Sequence, residues 1–268
     1  MYLSHSIKMT YIMGKIISVA LPKGGVGKTT TAVNLAASLA VAEKRVLIMD
    51  LDSSGAAGIA LGFQDQDRTP GVFNILSYTR SIEQCIRQTE LSHLDFVPMN
   101  SLSPIDEERL GRMSNNKMLL YHLLNSMKER YDYIFLDCPP YASGLMTVAL
   151  VASDSVLIPA KSGHLSLEAI DKLFAHIDWI RRFTNRALCT EGILLTMHEP
   201  RTKVGAMIDN DLNDKYSGHV FNTVIPKNST ISESSYHGKP VILYNASSKG
   251  ASAYLSLAQE IMNKNGTP

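Results

Sequence analysis

A glycine- and lysine-rich segment near the start of the chain has the residue types and spacing to hold phosphate groups. It reads Pro22-Lys23-Gly24-Gly25-Val26-Gly27-Lys28-Thr29-Thr30. Glycines let the backbone curl so that successive N–H groups point to one centre, and the N-terminus of a following helix favours an anion there. Lys28 would meet the terminal phosphates and the Thr29 hydroxyl would hold Mg²⁺. The segment therefore predicts a nucleoside triphosphate site, with a glycine-rich turn that only caps a helix as the alternative.

The elements around this segment alternate between short β-branched runs and helix-length amphipathic stretches. The predicted strands are Ile16–Leu21, Val46–Asp50, Tyr133–Asp137, Ser155–Ala160, Gly192–Met197 and Phe221–Ile225. The predicted helices are Lys28–Glu43, Ile105–Arg130, Leu165–Arg182, Val204–Tyr216 and Ala251–Lys264. Several of the strands are apolar almost throughout, which is typical of strands that helices cover on both faces. The alternation predicts an α/β fold with a parallel sheet, and it supplies the strand, loop and helix that a phosphate loop needs.

The composition limits the classes of protein. Of 268 residues, 45% are hydrophobic and 19% are charged, which excludes disorder as the main state. The net charge of +1 leaves no strong global field towards nucleic acid or membrane. Three cysteines and eight histidines show no metal-ligand spacing, so we expect an intracellular protein with no metal beyond nucleotide-bound Mg²⁺. We expect residues 1–13 to be a loosely held tail and residues 14–268 to form one domain.

The phosphate segment resembles the deviant Walker A motif of the ParA/MinD family of ATPases. Pro22 stands where an ordinary phosphate loop has its first glycine, and Lys23 precedes the glycine pair. The resemblance covers nearly all of residues 15–264 and is closest to the ParA partition ATPases. It implies a mostly parallel, twisted sheet of about eight strands with helices on both faces, and an ATP-dependent sandwich dimer. It assigns Lys23 to the partner's nucleotide across the dimer interface, with a solvated loop residue as the alternative.

Two further segments are similar to motifs of that family. The segment 46–52 resembles switch I, which implies that Asp52 orients the attacking water and that Asp50 supports Mg²⁺. The segment 131–140 resembles Walker B, which implies that Asp137 belongs to the Mg²⁺ shell. For Asp50 and Asp52, a helix cap or turn is the alternative. Family members commonly continue switch I with Pro-Gln-Gly-Asn, whereas this chain has Ser53-Ser54-Gly55-Ala56, so we expect slow basal turnover.

The late loops resemble family segments that enclose the adenine and contact DNA. By position, the resemblance implies adenine contacts at Met197, Pro226 and Asn228. The implied DNA contacts are Arg201, Lys203, Lys227, Lys239 and Lys249. The chain has 14 basic and 15 acidic residues up to Ala160, then 12 and 10, which is only a mild basic bias. Scattered solvated charges are therefore the alternative to a DNA surface.

Three functions compete. The first is an ATP-dependent DNA partition ATPase, whose ATP-bound dimer binds DNA non-specifically and is released when a ParB-like partner stimulates hydrolysis. It would lie in the cytoplasm on the nucleoid. The second is a MinD-like spatial regulator of a membrane or protein apparatus. The C-terminal apolar stripe argues for packing on the sheet and not for lipid, because its polar face has few basic residues. The third, a metabolic ligase or reductase, would need a second substrate pocket or cluster cysteines.

Overall fold

Within the residues that the computed structural model describes (13–142, 144–161, 164–199, 212 and 214–266), seven strands form one sheet. They are β1 (Lys15–Val19), β2 (Val46–Asp50), β3 (Arg87–Gln88), β4 (Leu94–Val97), β5 (Tyr133–Asp137), β6 (Ser155–Lys161) and β7 (Cys189–Thr196). Their order across the sheet is β3-β4-β2-β5-β1-β6-β7. All neighbours are parallel except β3 and β4. The carboxyl ends of β1, β2 and β5 therefore meet at one edge, which is where open α/β sheets bind ligands.

Helices follow most strands and cover both faces of the sheet. They are α1 (Lys28–Val41), α2 (Ala56–Ala60), α3 (Val72–Leu76), α4 (Ile82–Cys85), α5 (Pro104–Met113), α6 (Tyr121–Met127), α7 (Gly144–Ala152), α8 (His164–Phe183), α9 (Ser229–Tyr236), α10 (Val241–Tyr244) and α11 (Lys249–Lys264). A short 3-10 helix spans Asp65–Arg68. Among these described helices, none has both the length and the apolar character needed to cross a bilayer.

Alternation along the strands divides the core into two apolar layers. Ile17 and Val19 of β1 belong to the layer beneath α1 and α11, whereas Ile16 belongs to the layer beneath α7 and α8. In α11, Leu257 and Ile261 are fully buried against the sheet side of the molecule. The apolar stripe of the C-terminal helix is thus a packing surface, as its sequence predicts.

The predicted helix Ile105–Arg130 is wrong, because the structure divides it into α5 and α6. Short polar side chains between the two bind nearby backbone instead of continuing the helix. The Ser114 hydroxyl donates to the carbonyl of Gly111 (2.7 Å), and the side-chain oxygen of Asn116 accepts from the N–H of Met118 (3.2 Å). The predicted helix Val204–Tyr216 lies largely outside the described residues. The two-residue β3 and the four-residue β4 were not predicted at all.

The predicted strand Phe221–Ile225, an eighth strand, is wrong: the chain there has only two isolated parallel bridges, from Val220 to Ile193 in β7 and from Pro226 to His198 just after β7. The N–H groups of Phe221 and Ile225 still donate to the carbonyls of Ile193 (3.0 Å) and Leu195 (2.8 Å), but the backbone between Phe221 and Ile225 leaves the ladder. The consecutive N–H groups of Asn222 and Thr223 both donate to the carboxylate of Glu260 in α11, at 2.8 and 2.9 Å. A regular parallel strand directs successive N–H groups to opposite sides, so a single acceptor for two neighbours bends the chain. The described sheet therefore has seven regular strands where about eight were expected.

Candidate functional site

The phosphate loop joins the end of β1 to the start of α1, as predicted. Gly25 and Gly27 have φ angles of 68° and 84°, in the left-handed region that glycine adopts without steric cost. Gly27 is also the N-cap of α1, and no side chain caps that helix. The first N–H groups of α1 therefore face the loop, where an anion would satisfy them. Gly24 and Gly25 lie at the surface, and Val26 is buried.

Two lysines lie in this loop with different surroundings. Lys28 is 7% exposed, and its ammonium donates to the carbonyl of Lys23 (2.9 Å). Burial lowers the pKa of Lys28, while the nearby carboxylate of Asp137 acts in the opposite direction. Lys23 is half-buried. The site thus holds one cation inside the loop and a second at its rim.

Thr196, at the end of β7, fastens the loop to the sheet and was missed by the sequence interpretation. Its hydroxyl donates to the carbonyl of Val26 (2.8 Å) and is itself buried. No sequence pattern indicated Thr196, which only precedes Met197, the residue for which the resemblance implies an adenine contact. The interaction links the phosphate loop to the loop after β7.

Two carboxylates lie side by side below the loop, at the ends of β2 and β5. Asp50 and Asp137 are paired in the strand register, and both side chains are fully buried. Asp50 accepts from the N–H groups of Asp52 (2.9 Å) and Ala57 (3.3 Å). In the described part of the chain, neither oxygen of Asp137 has a hydrogen bond of normal geometry. Two buried carboxylates, one of them unsatisfied, indicate a place for a positive ligand.

The pKa values of Asp50 and Asp137 are also shifted as expected for a site that takes a positive ligand. Burial raises the pKa of Asp137 to about 7, against the opposing effects of the nearby Thr29 hydroxyl and Lys28 ammonium. Burial and the adjacent Asp137 carboxylate raise the pKa of Asp50 as well. Mg²⁺ prefers oxygen ligands and usually takes one or two carboxylates together with substrate phosphates. The unsatisfied oxygens of Asp137, with the Thr29 hydroxyl beside them and Asp50 behind, fit that ion.

Asp52 follows β2 and is half-buried. Its negative charge raises the pKa of both Lys28 and Asp137. One oxygen of its carboxylate accepts from the N–H of Ser54 (3.0 Å), as a turn residue would. The described residues offer the other oxygen no hydrogen bond. Asp52 can therefore hold the turn with one carboxylate oxygen and orient a water molecule with the other.

A cavity of about 450 Å³ opens beside the phosphate loop. Gly27 and Thr30 line one side of it, and Met197, Pro226 and Asn228 line the other. The structure thus brings the three predicted adenine residues together, next to the loop. A slot of this size with mixed apolar and polar walls suits a flat heterocycle.

Asn228 has a second task, because it is the N-cap of α9. Its side-chain oxygen accepts from the N–H of Thr230 (2.9 Å). The donor end of the amide is then the part that can face a ligand.

Two of the predicted DNA contacts are each paired with a carboxylate. Lys227 pairs with Glu199 (3.1 Å) and Lys239 pairs with Glu90 (3.2 Å). Lys249 is exposed at the first position of α11. Arg201 and Lys203 lie outside the described residues.

Comparison with known proteins places these observations in a family. A family model described as an AAA domain matches residues 14–190. The chromosome partitioning protein ParA of Myxococcus xanthus is 40% identical over 257 residues, which cover 96% of this chain and 90% of that protein. The sporulation initiation inhibitor protein Soj of Bacillus subtilis is also 40% identical, over 93% of this chain and 98% of that protein.

A solved structure shares the fold over nearly the whole chain. It is a cobyrinic acid a,c-diamide synthase from Mycobacterium smegmatis with bound ADP and magnesium. The TM-score is 0.80 at 25% identity, over 95% of this chain and 97% of that one.

Proposed function

The chain belongs to the family of ParA and Soj chromosome partitioning proteins, and from that premise we propose that it is an ATP-dependent DNA partition ATPase. The observation that carries the proposal is the buried, unsatisfied carboxylate of Asp137 beside Lys28, under a loop of glycines with left-handed φ angles. An arrangement of this kind suits the polyphosphate and metal of a nucleotide and has no evident use in a purely structural core.

The nucleotide is ATP with Mg²⁺. The backbone of residues 23–30 and the Lys28 ammonium hold the phosphates, and the adenine lies in the cavity between Thr30 and Met197. Mg²⁺, held by Thr29 and Asp137 with Asp50 behind them, would neutralise charge on the phosphate oxygens. Asp52 orients the attacking water. Basal turnover is slow, because Ser54 and Ala56 cannot supply the amide groups common at those positions in the family.

Dimerisation and DNA binding complete the proposal. Two phosphate loops that face each other bring two anionic clusters together, a repulsion that the cation at the rim of each loop, Lys23, would offset. The dimer then presents each basic residue of the late loops twice, which strengthens contact with the phosphates of duplex DNA. A ParB-like partner stimulates hydrolysis and releases the protein from the nucleoid. We further propose that residues 14–268 form one domain; residues 1–12 of the expected tail lie outside the described residues.

One observation favours a second candidate, a MinD-like spatial regulator. Lys227 and Lys239 each already face a carboxylate, which weakens the field that would attract DNA. A metabolic synthase is less well supported, because the relatives named for partitioning are 40% identical and the synthase is 25% identical.

Retention assays separate these functions. Protein with ATP, ADP or no nucleotide is applied to an immobilised duplex and, separately, to liposomes of anionic and neutral lipid. Partitioning predicts ATP-dependent retention on the duplex at low salt, and Lys28→Ala, which removes the buried cation of the loop, should abolish it. Retention on liposomes alone would favour the spatial regulator. If neither surface retains the ATP-bound protein, the partition proposal fails.

A further inference from the structure

Arg68, the last residue of the short 3-10 helix, joins two loops that are far apart in sequence. Its guanidinium donates to the carbonyls of Met99 (2.9 Å) and Asn100 (3.1 Å), which follow β4. It also donates to the carbonyl of Ser53 (2.7 Å), which directly follows Asp52. The side chain is only 13% exposed, so these bonds are shielded from water.

The same guanidinium packs closely against Gly55. Gly55 has a φ of 69°, and a Cβ atom there would come within 2.5 Å of the Arg68 Cζ. Only glycine at this position leaves room for the contact. On the opposite side, the N–H of Asp52 donates to Asp50 (2.9 Å). The short segment from Asp52 to Gly55 is therefore held at both ends.

The three carbonyl acceptors explain why position 68 is an arginine. Three acceptors are neutral carbonyls in different directions, and a guanidinium offers five donors in a fixed plane. A lysine ammonium cannot reach carbonyls so arranged with the same geometry. The one acidic partner, Asp65 at 3.2 Å, is 75% exposed, and exposed ion pairs of this kind contribute little. The carbonyl contacts, and not the charge pair, fix the position of Arg68.

The geometry points to Arg68 as a positioning residue for hydrolysis, which fixes the backbone after Asp52 and with it the direction of the Asp52 carboxylate. This inference rests on the proposed function, because it concerns the role of Asp52 towards water. The inference also accounts for Ser53, which stands where family members commonly have a proline. A proline restricts the backbone by its own ring, whereas a serine does not. In this chain the hydrogen bond from Arg68 to the Ser53 carbonyl restricts the backbone instead.

The test compares Arg68→Lys with Asp65→Asn, a matched control that removes the surface ion pair and leaves the three carbonyl contacts. In nucleotide-free protein, amide hydrogen exchange in residues 53–58 should become faster in Arg68→Lys and stay unchanged in Asp65→Asn. In steady-state hydrolysis, Arg68→Lys should lower kcat by about 10- to 100-fold, as misplaced catalytic groups do, with little change in KM. Arg68→Lys should add no further loss to Asp52→Ala.

Several outcomes would overturn the inference. These are unchanged exchange in residues 53–58, an unchanged kcat, or equal falls of kcat in Arg68→Lys and in the control. Circular dichroism checks folding, and Arg68→Gln takes the place of Arg68→Lys if the latter does not fold. If the unmodified protein does not hydrolyse ATP, the proposed function fails, whereas the exchange measurement still tests the clamp by itself.

Discussion

At the scale of single residues, Asp52 is held by hydrogen bonds to Asp50 and Ser54, and its second carboxylate oxygen takes no part in either bond. Its N–H donates to Asp50, and its Oδ1 accepts from Ser54. A carboxylate fixed in this way can orient a water molecule without first losing conformational freedom.

Asp52→Ala should keep ATP bound and nearly stop its hydrolysis, because the phosphate contacts of the loop do not involve this side chain. We expect the rate to fall by about 10²- to 10⁴-fold, the usual contribution of a general base. Single-turnover hydrolysis and equilibrium binding of labelled ATP measure the two properties separately. Asp178→Ala, which removes an exposed carboxylate from α8, serves as the control. Hydrolysis at the normal rate in Asp52→Ala would refute the assignment.

At the scale of elements, β7 contributes to the site through Thr196. Three strands separate β7 from β2 in the sheet order, yet the last side chain of β7 fixes the carbonyl of Val26 in the phosphate loop. The loop is thereby held from the side of the cavity between Thr30 and Met197 as well as by its own strand and helix.

Thr196→Val should lower the free energy of unfolding by about 1–3 kcal/mol, because it leaves the Val26 carbonyl without its donor. The same change should weaken ATP binding, since the loop is less well held. Denaturant unfolding and nucleotide titration measure these effects. Thr196→Ser retains the hydroxyl and should behave like the unmodified protein in both. Equal stability of the valine and serine variants would show that the bond is unimportant.

Local signals explain which elements the sequence could predict. The bounds of β2 and β5 match their predicted ranges, because each is a buried apolar run that ends at an aspartate. The phosphate loop could be predicted from its glycines and lysines alone.

Contacts between residues far apart in sequence explain what could not be predicted. The bend between Val220 and Pro226 depends on Glu260 in α11, and the position of the Ser53 carbonyl depends on Arg68. Neither Glu260 nor Arg68 lies in a recognisable sequence motif.

The proposed adenine cavity could be predicted only in part from the sequence. Met197, Pro226 and Asn228 were selected by resemblance, and the fold brings them together because His198, the residue after Met197, is bridged to Pro226. The capping role of Asn228 towards Thr230 was not foreseen, although an asparagine before Ser229-Thr230 is a common start of a helix.

At the scale of the whole molecule, Lys23 is the residue on which the proposed assembly depends. Lys23→Ala should bind ATP as a monomer, because Lys28 and the backbone remain, but it should not form the ATP-dependent dimer. Sedimentation with ATP and Mg²⁺ measures this. Lys172→Ala, on the exposed side of α8, controls for the loss of one positive charge. A normal dimer from Lys23→Ala would contradict the role across the interface.

The DNA surface can be tested through the pair Lys227 and Glu199. Lys227→Ala should weaken binding to unrelated duplexes alike and reduce the salt slope by about two charges per dimer. Glu199→Gln should strengthen binding, because it removes the carboxylate that competes with DNA phosphate for Lys227. Binding titrations at several salt concentrations measure both. If neither variant changes the slope, Lys227 is only a solvated charge.

The bend held by Glu260 also affects how the protein behaves in concentrated solution. The segment from Val220 to Pro226 is the outermost piece beside β7 in the described sheet, and a straight strand there would offer its backbone to other molecules. Glu260 occupies the N–H groups of Asn222 and Thr223, and Pro226 has no N–H to offer. One carboxylate and one proline thus leave this edge of the sheet with fewer free N–H groups for pairing with a strand of another molecule.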